Sequence, residues 1–218
     1  MSSTRDRILS AARELIEREN GGAPNMSELA RAVGISRQAL YLHFPDRASL
    51  LLALVARVDR DEGLQAGVDA VEAAPDAPAQ IRAWAQMQSW RNPRIASFAR
   101  ALDQARQGDR AVSAAWRDRT HNRMRGATAI IERLRTEGRL HPNWKTREAA
   151  ALLSELTSFR VWDDLVNESG LAGDRYVEII TTAALAALAS PVRPRERAKR
   201  PKQTRGDAIT ARSRRRST

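Results

Sequence analysis

The sequence predicts an all-α protein: an N-terminal three-helix unit containing a helix-turn-helix, then a larger helical body, about nine helices in total. Three observations carry this prediction. Apolar residues recur at three- and four-residue spacing along most of the chain. Ala and Leu are abundant, and no run alternates β-branched with polar residues as a strand would. Finally, Gly, Pro and Asn/Asp/Ser/Thr punctuation recurs at intervals suited to helix ends. With 42% hydrophobic residues in 218, the chain can bury a substantial core.

Ile8, Ala12, Leu15 and Ile16 form one stripe of a first helix over residues 4–19, and the segment Asn20 to Pro24 (NGGAP) breaks it. Short helices are expected over 26–33 and 36–43, and a longer one from 47 to the Gly63/Gly67 region. The stretch AAPDAP at 73–78 separates two further helices. Asn92 reads as a helix cap with Pro93 at the first helical position, where a missing N–H costs nothing. Gly108 closes that helix and Asp109 caps the next. Gly138 to Asn143 makes another break; Thr146 precedes a helix reaching Asn167, and Asp174 opens the last, which runs to Ala189. From Arg193 to Thr218 the chain is polar and basic with little to pack, and reads as disordered. The expected division is therefore 1–50, 51–190 and a basic tail, 191–218.

Charge is distributed unevenly. The net charge is +11, but residues 191–218 hold eleven of the 37 Lys+Arg and only two acids, Glu196 and Asp207. The remaining 190 residues are near balance, so the basic total is no argument for specific nucleic-acid binding. The tail has three readings: a solvated end, a polyanion clamp, or a site for an acidic protein. Cysteine is absent, which excludes disulfides, thiolate metal sites and a cysteine nucleophile. Three dispersed histidines and no glycine-rich phosphate loop give no support to an enzyme, a metal or a cofactor. His121 and His141 lack a spaced ligand partner and read as surface imidazoles. No apolar run approaches the roughly 20 residues of a membrane span, and the start is not a signal peptide, so a cytoplasmic protein is expected. Richness in Arg and Ala with only three Lys suggests a GC-rich, bacterial coding sequence.

The informative window is Asn25 to Leu52. Asn25 followed by Glu28 predicts a capping box. Met26, Leu29, Ala30 and Val33 fall at i, i+3, i+4 and i+7, giving a short helix one buried face. Gly34 permits the positive φ of a sharp turn, Ile35 plugs it, and Ser36 caps the next helix. This is the pattern of a helix-turn-helix. Along the second of its helices, Leu40 and Phe44 project to the core, while Arg37, Gln38, Tyr41 and Leu42 project away and suit a major groove. Arg37 can bond guanine or phosphate, Gln38 can pair with adenine, and Leu42 can touch a thymine methyl. Tyr41, His43 and Arg47 stand where the phosphate backbone would pass.

The window resembles the TetR family of transcriptional regulators. The resemblance rests on Ala30, Gly34-Ile35-Ser36, Leu40-Tyr41, Phe44-Pro45, Arg47 and Leu50, preceded by an amphipathic first helix, and it covers the first 52 residues directly. It implies that Tyr41, His43 and Arg47 bind phosphates and that Arg37, Gln38 and Leu42 face bases, with Asn25 and Ser36 at the helix starts. Arg47 stands where Lys is commoner in the family, and Gln38 where a small residue is frequent. The resemblance further implies a homodimer on a palindromic DNA operator, a variable helical domain that binds a small-molecule inducer, and most often a repressor.

For the inducer, the large apolar residues Trp84, Met87, Trp90 and Phe98, joined by Trp116, Met124, Phe159 and Trp162, are candidate lining. Asp163 and Asp164 fit either a cationic inducer or a solvated face. For the dimer, Leu152 and Leu156 with Ile179, Ile180, Ala183 and Ala187 offer two helices per subunit for a four-helix interface.

Overall fold

The computed structural model describes residues 3–18, 25–106 and 108–190, and among these it is all-α. The helices are α1 (Thr4–Arg18), α2 (Met26–Val33), α3 (Arg37–His43), α4 (Arg47–Asp61), α5 (Leu64–Glu72), α6 (Ala77–Ala105), α7 (Arg110–Thr136), α8 (Thr146–Leu156), α9 (Phe159–Trp162) and α10 (Gly173–Leu188). A π-helical turn, Asp163–Glu168, continues α9. One isolated bridge, Leu140 to Ala189, joins the α7–α8 connection to the end of α10. Trp144 fastens the same corner, its Nε1 donating to the Ala187 carbonyl at 2.7 Å. The basic tail expected to be disordered lies outside the described residues, as does the break at Asn20 to Pro24.

The first core joins α1–α4 to the body. Ile8, Leu15, Leu29, Leu40, Phe44 and Leu50 are fully or almost fully buried in it, and Ile95, Phe98 and Leu102 of α6 belong to the same cluster. Apolar packing thus crosses residue 50, and α4 is the element common to both halves. A second cluster gathers α6, α7, α8 and α10 around Ile81, Ile131, Leu134 and Leu153. A third seats Trp162, Tyr176 and Ile180 against Ala85.

Several expectations about element ends need correction. α6 does not break at Asn92–Pro93: it is continuous over 29 residues with Pro93 inside. Proline in a helix interior forfeits one backbone hydrogen bond and costs about 3 kcal/mol. Here Ala85 and Met87 before it, and Ile95, Phe98 and Leu102 after it, are buried on one helix, and that packing outweighs the penalty. Asn92, only 1% exposed, is an interior residue and not a cap. The helix from residue 47 ends at Asp61, because Gly63 adopts φ 81° and starts α5. The helix expected from Thr146 to Asn167 is interrupted at Ser158, whose side chain caps α9 by accepting from the Val161 N–H. At α2, Asn25 caps by accepting from the Ser27 N–H at 2.9 Å, but the return bond from Glu28 is not formed, so the capping box is half complete.

Candidate functional site

The turn between α2 and α3 is built as its residues dictate. Gly34 sits at φ 74°, and the Ile35 N–H returns to the Ala30 carbonyl at 3.0 Å. Ser36 then caps α3 by accepting from the Ala39 N–H at 3.0 Å. Leu40 and Phe44 are wholly buried, which fixes the rotation of α3 and turns its opposite face outward. On that face Arg37 and Gln38 are exposed, and Leu42 is 83% exposed, the large hydrophobic most open to solvent among the described residues. Its side chain is therefore free to make an apolar contact with whatever meets this face of α3.

Tyr41 is partly buried and packs against the first core; the Arg37 guanidinium lies 5.5 Å from its ring centroid and 3.4 Å from its hydroxyl. His43 ends α3 and Arg47 opens α4, both partly buried. Asp46, between them, caps α4 in a reciprocal box with Ser49. Asn25, Ser36, Arg37, Gln38, Tyr41, Leu42, His43 and Arg47 therefore occupy the starts of α2 and α4 and the whole length of α3.

Two arginines of α1 brace this unit and were not singled out from the sequence. Arg5 donates to the His43 carbonyl at 3.0 Å with its guanidinium 4.4 Å from the Phe44 ring centroid. Arg7 donates to the Val33 carbonyl at 2.8 Å. Each neutralises carbonyls at a helix C-terminus, where the helix dipole favours a cation.

A cavity of about 350 Å³ lies between α4, α5, α6, α7 and α9. Of the eight residues expected to line an inducer site, Trp84, Met87, Trp116 and Phe159 line this cavity. The other four lie elsewhere. Phe98 is in the core that joins α6 to α1–α4, and Met124 packs on the second cluster. Trp162 is buried in the third cluster, its ring 5.7 Å from that of Phe159. Trp90 lies beneath Arg94, which stacks 4.3 Å from the ring.

Trp84 is held in place from two sides. Its Nε1 donates to Thr157 Oγ1 at 3.0 Å, and its ring lies so close over Gly126 that a Cβ there would collide with it.

The polar part of the lining escaped the sequence reading. Asp59, Asn92, Arg91, Arg119 and Arg123 all face the cavity. A signal was present: at about 100° per residue, Trp84, Met87, Arg91 and Ile95 share a face of α6, and Trp116, Arg119, Thr120 and Arg123 share one of α7. Ending the helix at Pro93 concealed the first stripe.

Asp163 and Asp164 do not line this cavity; they lie in a separate recess with Arg100 and Arg160. Arg100 grips Asp163 at 2.6 and 3.2 Å. Burial alone would raise the Asp163 carboxyl, but its bonds from Arg100 and Asn167 outweigh this and hold it below the usual range. Asp163 is thus already paired with Arg100, and neither acid faces the cavity between α4, α5, α6, α7 and α9. Among the described residues no group of His, Asp or Glu side chains is arranged to hold a metal ion.

On the candidate dimer face, Leu152 and Leu156 of α8 and Ile179 and Ala187 of α10 are partly exposed, and Ala183 is exposed. Ile180 differs: at 2% exposure it belongs to the third cluster of its own subunit.

Comparison with known proteins agrees with this geometry. Residues 8–54, which span α1, the helix-turn-helix and the first half of α4, match the model of the family described as "Bacterial regulatory proteins, tetR family". Over these residues the chain is similar to that family. The nucleoid occlusion factor SlmA of Aliivibrio fischeri is 39% identical over 56 residues, which are 25% of this chain and 29% of the relative's own length. A transcriptional regulator of Saccharomonospora viridis, crystallised with choline, superposes with a TM-score of 0.66 at 17% identity, covering 86% of this chain and 98% of that one. NalD of Pseudomonas aeruginosa, the secondary repressor of the MexAB-OprM multidrug efflux pump, superposes with a TM-score of 0.62 at 21% identity, covering 85% and 97%. At these identities the superpositions show that the chain shares the fold of these regulators through its helical body.

Among the described residues no single helix is long and apolar enough to cross a membrane. The bent pair α3–α4 has the length and composition, but Leu40, Leu50, Leu51 and Leu54 are buried in protein.

Proposed function

We propose that the TetR-like chain is a ligand-responsive transcriptional repressor that binds a palindromic operator as a homodimer. The observation that carries this is the division of α3: Leu40 and Phe44 are fully buried, whereas Arg37, Gln38 and an 83% exposed Leu42 share the outer face. That outer face combines forked hydrogen-bonding groups with an apolar contact, the set needed to read base edges in a major groove. Tyr41, His43 and Arg47 flank it and would fix register on phosphates. The exposed parts of α8 and α10 would pair two subunits about a two-fold axis, presenting two copies of α3 to successive half-sites.

Release follows from α4. Its Leu50, Leu51 and Leu54 lie in the core shared by α1–α3 and α6, its last turn carries Asp59, and Glu62 is its C-cap. Arg91 holds Asp59 at 2.8 and 2.7 Å, and Arg94 holds Glu62 at 2.8 Å. A small molecule in the cavity meets Asp59 and Arg91 directly and shifts α4 against α6, altering the spacing of the paired recognition helices. Moving the population from about 99% operator-competent to about 1% requires roughly 5.5 kcal/mol of differential affinity. The choline held by the Saccharomonospora relative supports a small-molecule effector.

The test is operator selection from random duplexes, followed by titration of Gln38→Ala and Leu42→Ala. Specific binding that these substitutions weaken supports the reading. Binding without a consensus, lost on removing residues 191–218, would instead make the arginine tail a non-specific clamp.

A further inference from the structure

The charged lining of the cavity is one-sided. Three guanidinium groups, those of Arg91, Arg119 and Arg123, share it with one carboxylate, Asp59. Both Asp59 oxygens are already taken by Arg91. Arg123 is turned to α8, its Nε 2.9 Å from the Ser154 carbonyl and its Nη2 3.5 Å from Glu155. Arg119 is partly exposed and has neither a hydrogen-bond nor an ion-pair partner among the described residues. Burial first, and the like charges of Arg91 and Arg123 after it, push its guanidinium down to about 10, with Asp59 offsetting part of the effect. It therefore stays charged at neutral pH. A second lining group points the same way: Asn92 is 1% exposed, and its Nδ2 donor has no partner. A buried donor without a partner is costly to maintain, and Asn92 shares the lining with a guanidinium that no acid pairs.

The rest of the lining is apolar and large, with Trp84, Met87, Trp116 and Phe159 around a space of about 350 Å³. A cavity of about 150 Å³ is enough for benzene, so a bicyclic ring or a medium acyl chain fits here.

We propose that the cavity takes an organic carboxylate, its anionic head paired with Arg119 and accepting a hydrogen bond from Asn92, its apolar body among the aromatic side chains. This rests on the reading of the cavity as the effector site. A planar carboxylate can accept two parallel bonds from a guanidinium, the strongest common form of such a pair. The cavity repels a quaternary or primary ammonium through the uncompensated charge of Arg119.

The test is calorimetric titration of the full chain at pH 7 with three probes of one shape: 2-naphthoate, the neutral 2-naphthamide and the cationic 2-naphthylmethylammonium. The expected order is naphthoate tighter than naphthamide by roughly tenfold or more, with the ammonium not bound. Arg119→Met removes that preference while leaving naphthamide affinity nearly unchanged, and Arg119→Lys keeps a preference for the anion. Equal binding of naphthoate and naphthamide, binding of the ammonium, or an Arg119→Met protein that still prefers the anion overturns the carboxylate assignment alone. Failure of all three probes to bind at about 1 mM overturns both this assignment and the effector reading of the cavity.

Discussion

Replacing Arg119 with methionine stabilises the ligand-free protein. The side chain keeps a comparable apolar stem, so little packing is lost, and the charge it removes has no partner among the described residues. A guanidinium pushed down to about 10 from its ordinary value is disfavoured in the folded state by at most about 3 kcal/mol before solvent screening of the partly exposed side chain. Water reaching the cavity relieves part of this, so the expected gain is about 1–3 kcal/mol. For a chain of this size each kcal/mol moves Tm by roughly 2–4 °C. The assay is thermal and urea unfolding of both proteins at equal concentration, because a dimer makes Tm concentration-dependent. The pH dependence has a definite sign. A cation whose folded pKa is depressed destabilises fully below that folded value, and the penalty fades as pH rises through it toward the unfolded value. The gap between the two proteins is therefore greatest near neutrality and narrows from pH 10 upward. A variant less stable than the parent at pH 7, or a gap indifferent to alkaline pH, would refute the view that Arg119 is a partly desolvated, unpaired charge.

Other perturbations have equally definite outcomes. Leu42→Ala leaves unfolding free energy within about 0.5 kcal/mol of the parent, because the side chain is 83% exposed, yet weakens operator binding in a mobility-shift titration. Gly34→Ala adds no clash but forces alanine to φ 74°; equilibrium unfolding should show a loss of about 1–2 kcal/mol. Gly126→Ala drives a methyl into the Trp84 ring, which Thr157 holds by hydrogen bond, costing about 1–3 kcal/mol and abolishing probe binding by calorimetry. Removing residues 191–218 lowers the slope of log K against log salt for DNA by about 0.9 per lost phosphate contact, without changing the preferred sequence.

What the sequence made legible was governed by local rules. The α2–turn–α3 unit needs a glycine at positive φ, a cap and a two-sided helix, and each of these is encoded within a few residues. Its buried and exposed faces were readable from Leu40, Phe44 and Leu42 without tertiary information. The braces from Arg5 and Arg7 were not, because their partners are backbone carbonyls 26 and 38 residues away. Pro93 misled for a related reason: a local helix-breaking preference is overridden where buried residues on both sides hold the helix together. The cavity was half legible. Size and apolarity singled out Trp84, Met87, Trp116 and Phe159, but equally singled out Phe98 and Trp162, which fill cores. Only the arrangement of helices distinguishes a ring that lines a space from one that fills it. The arginines that give the cavity its sign looked like ordinary charged positions, since neutralisation depends on which acids lie opposite.

The most direct measurement is selection of duplexes from a random library at about 150 mM salt, with the full chain and a 1–190 chain side by side. A shared inverted-repeat consensus recovered by both is the result predicted by the proposal that α3 reads the site and the body pairs the subunits. Binding by the full chain alone, with no consensus, would contradict it.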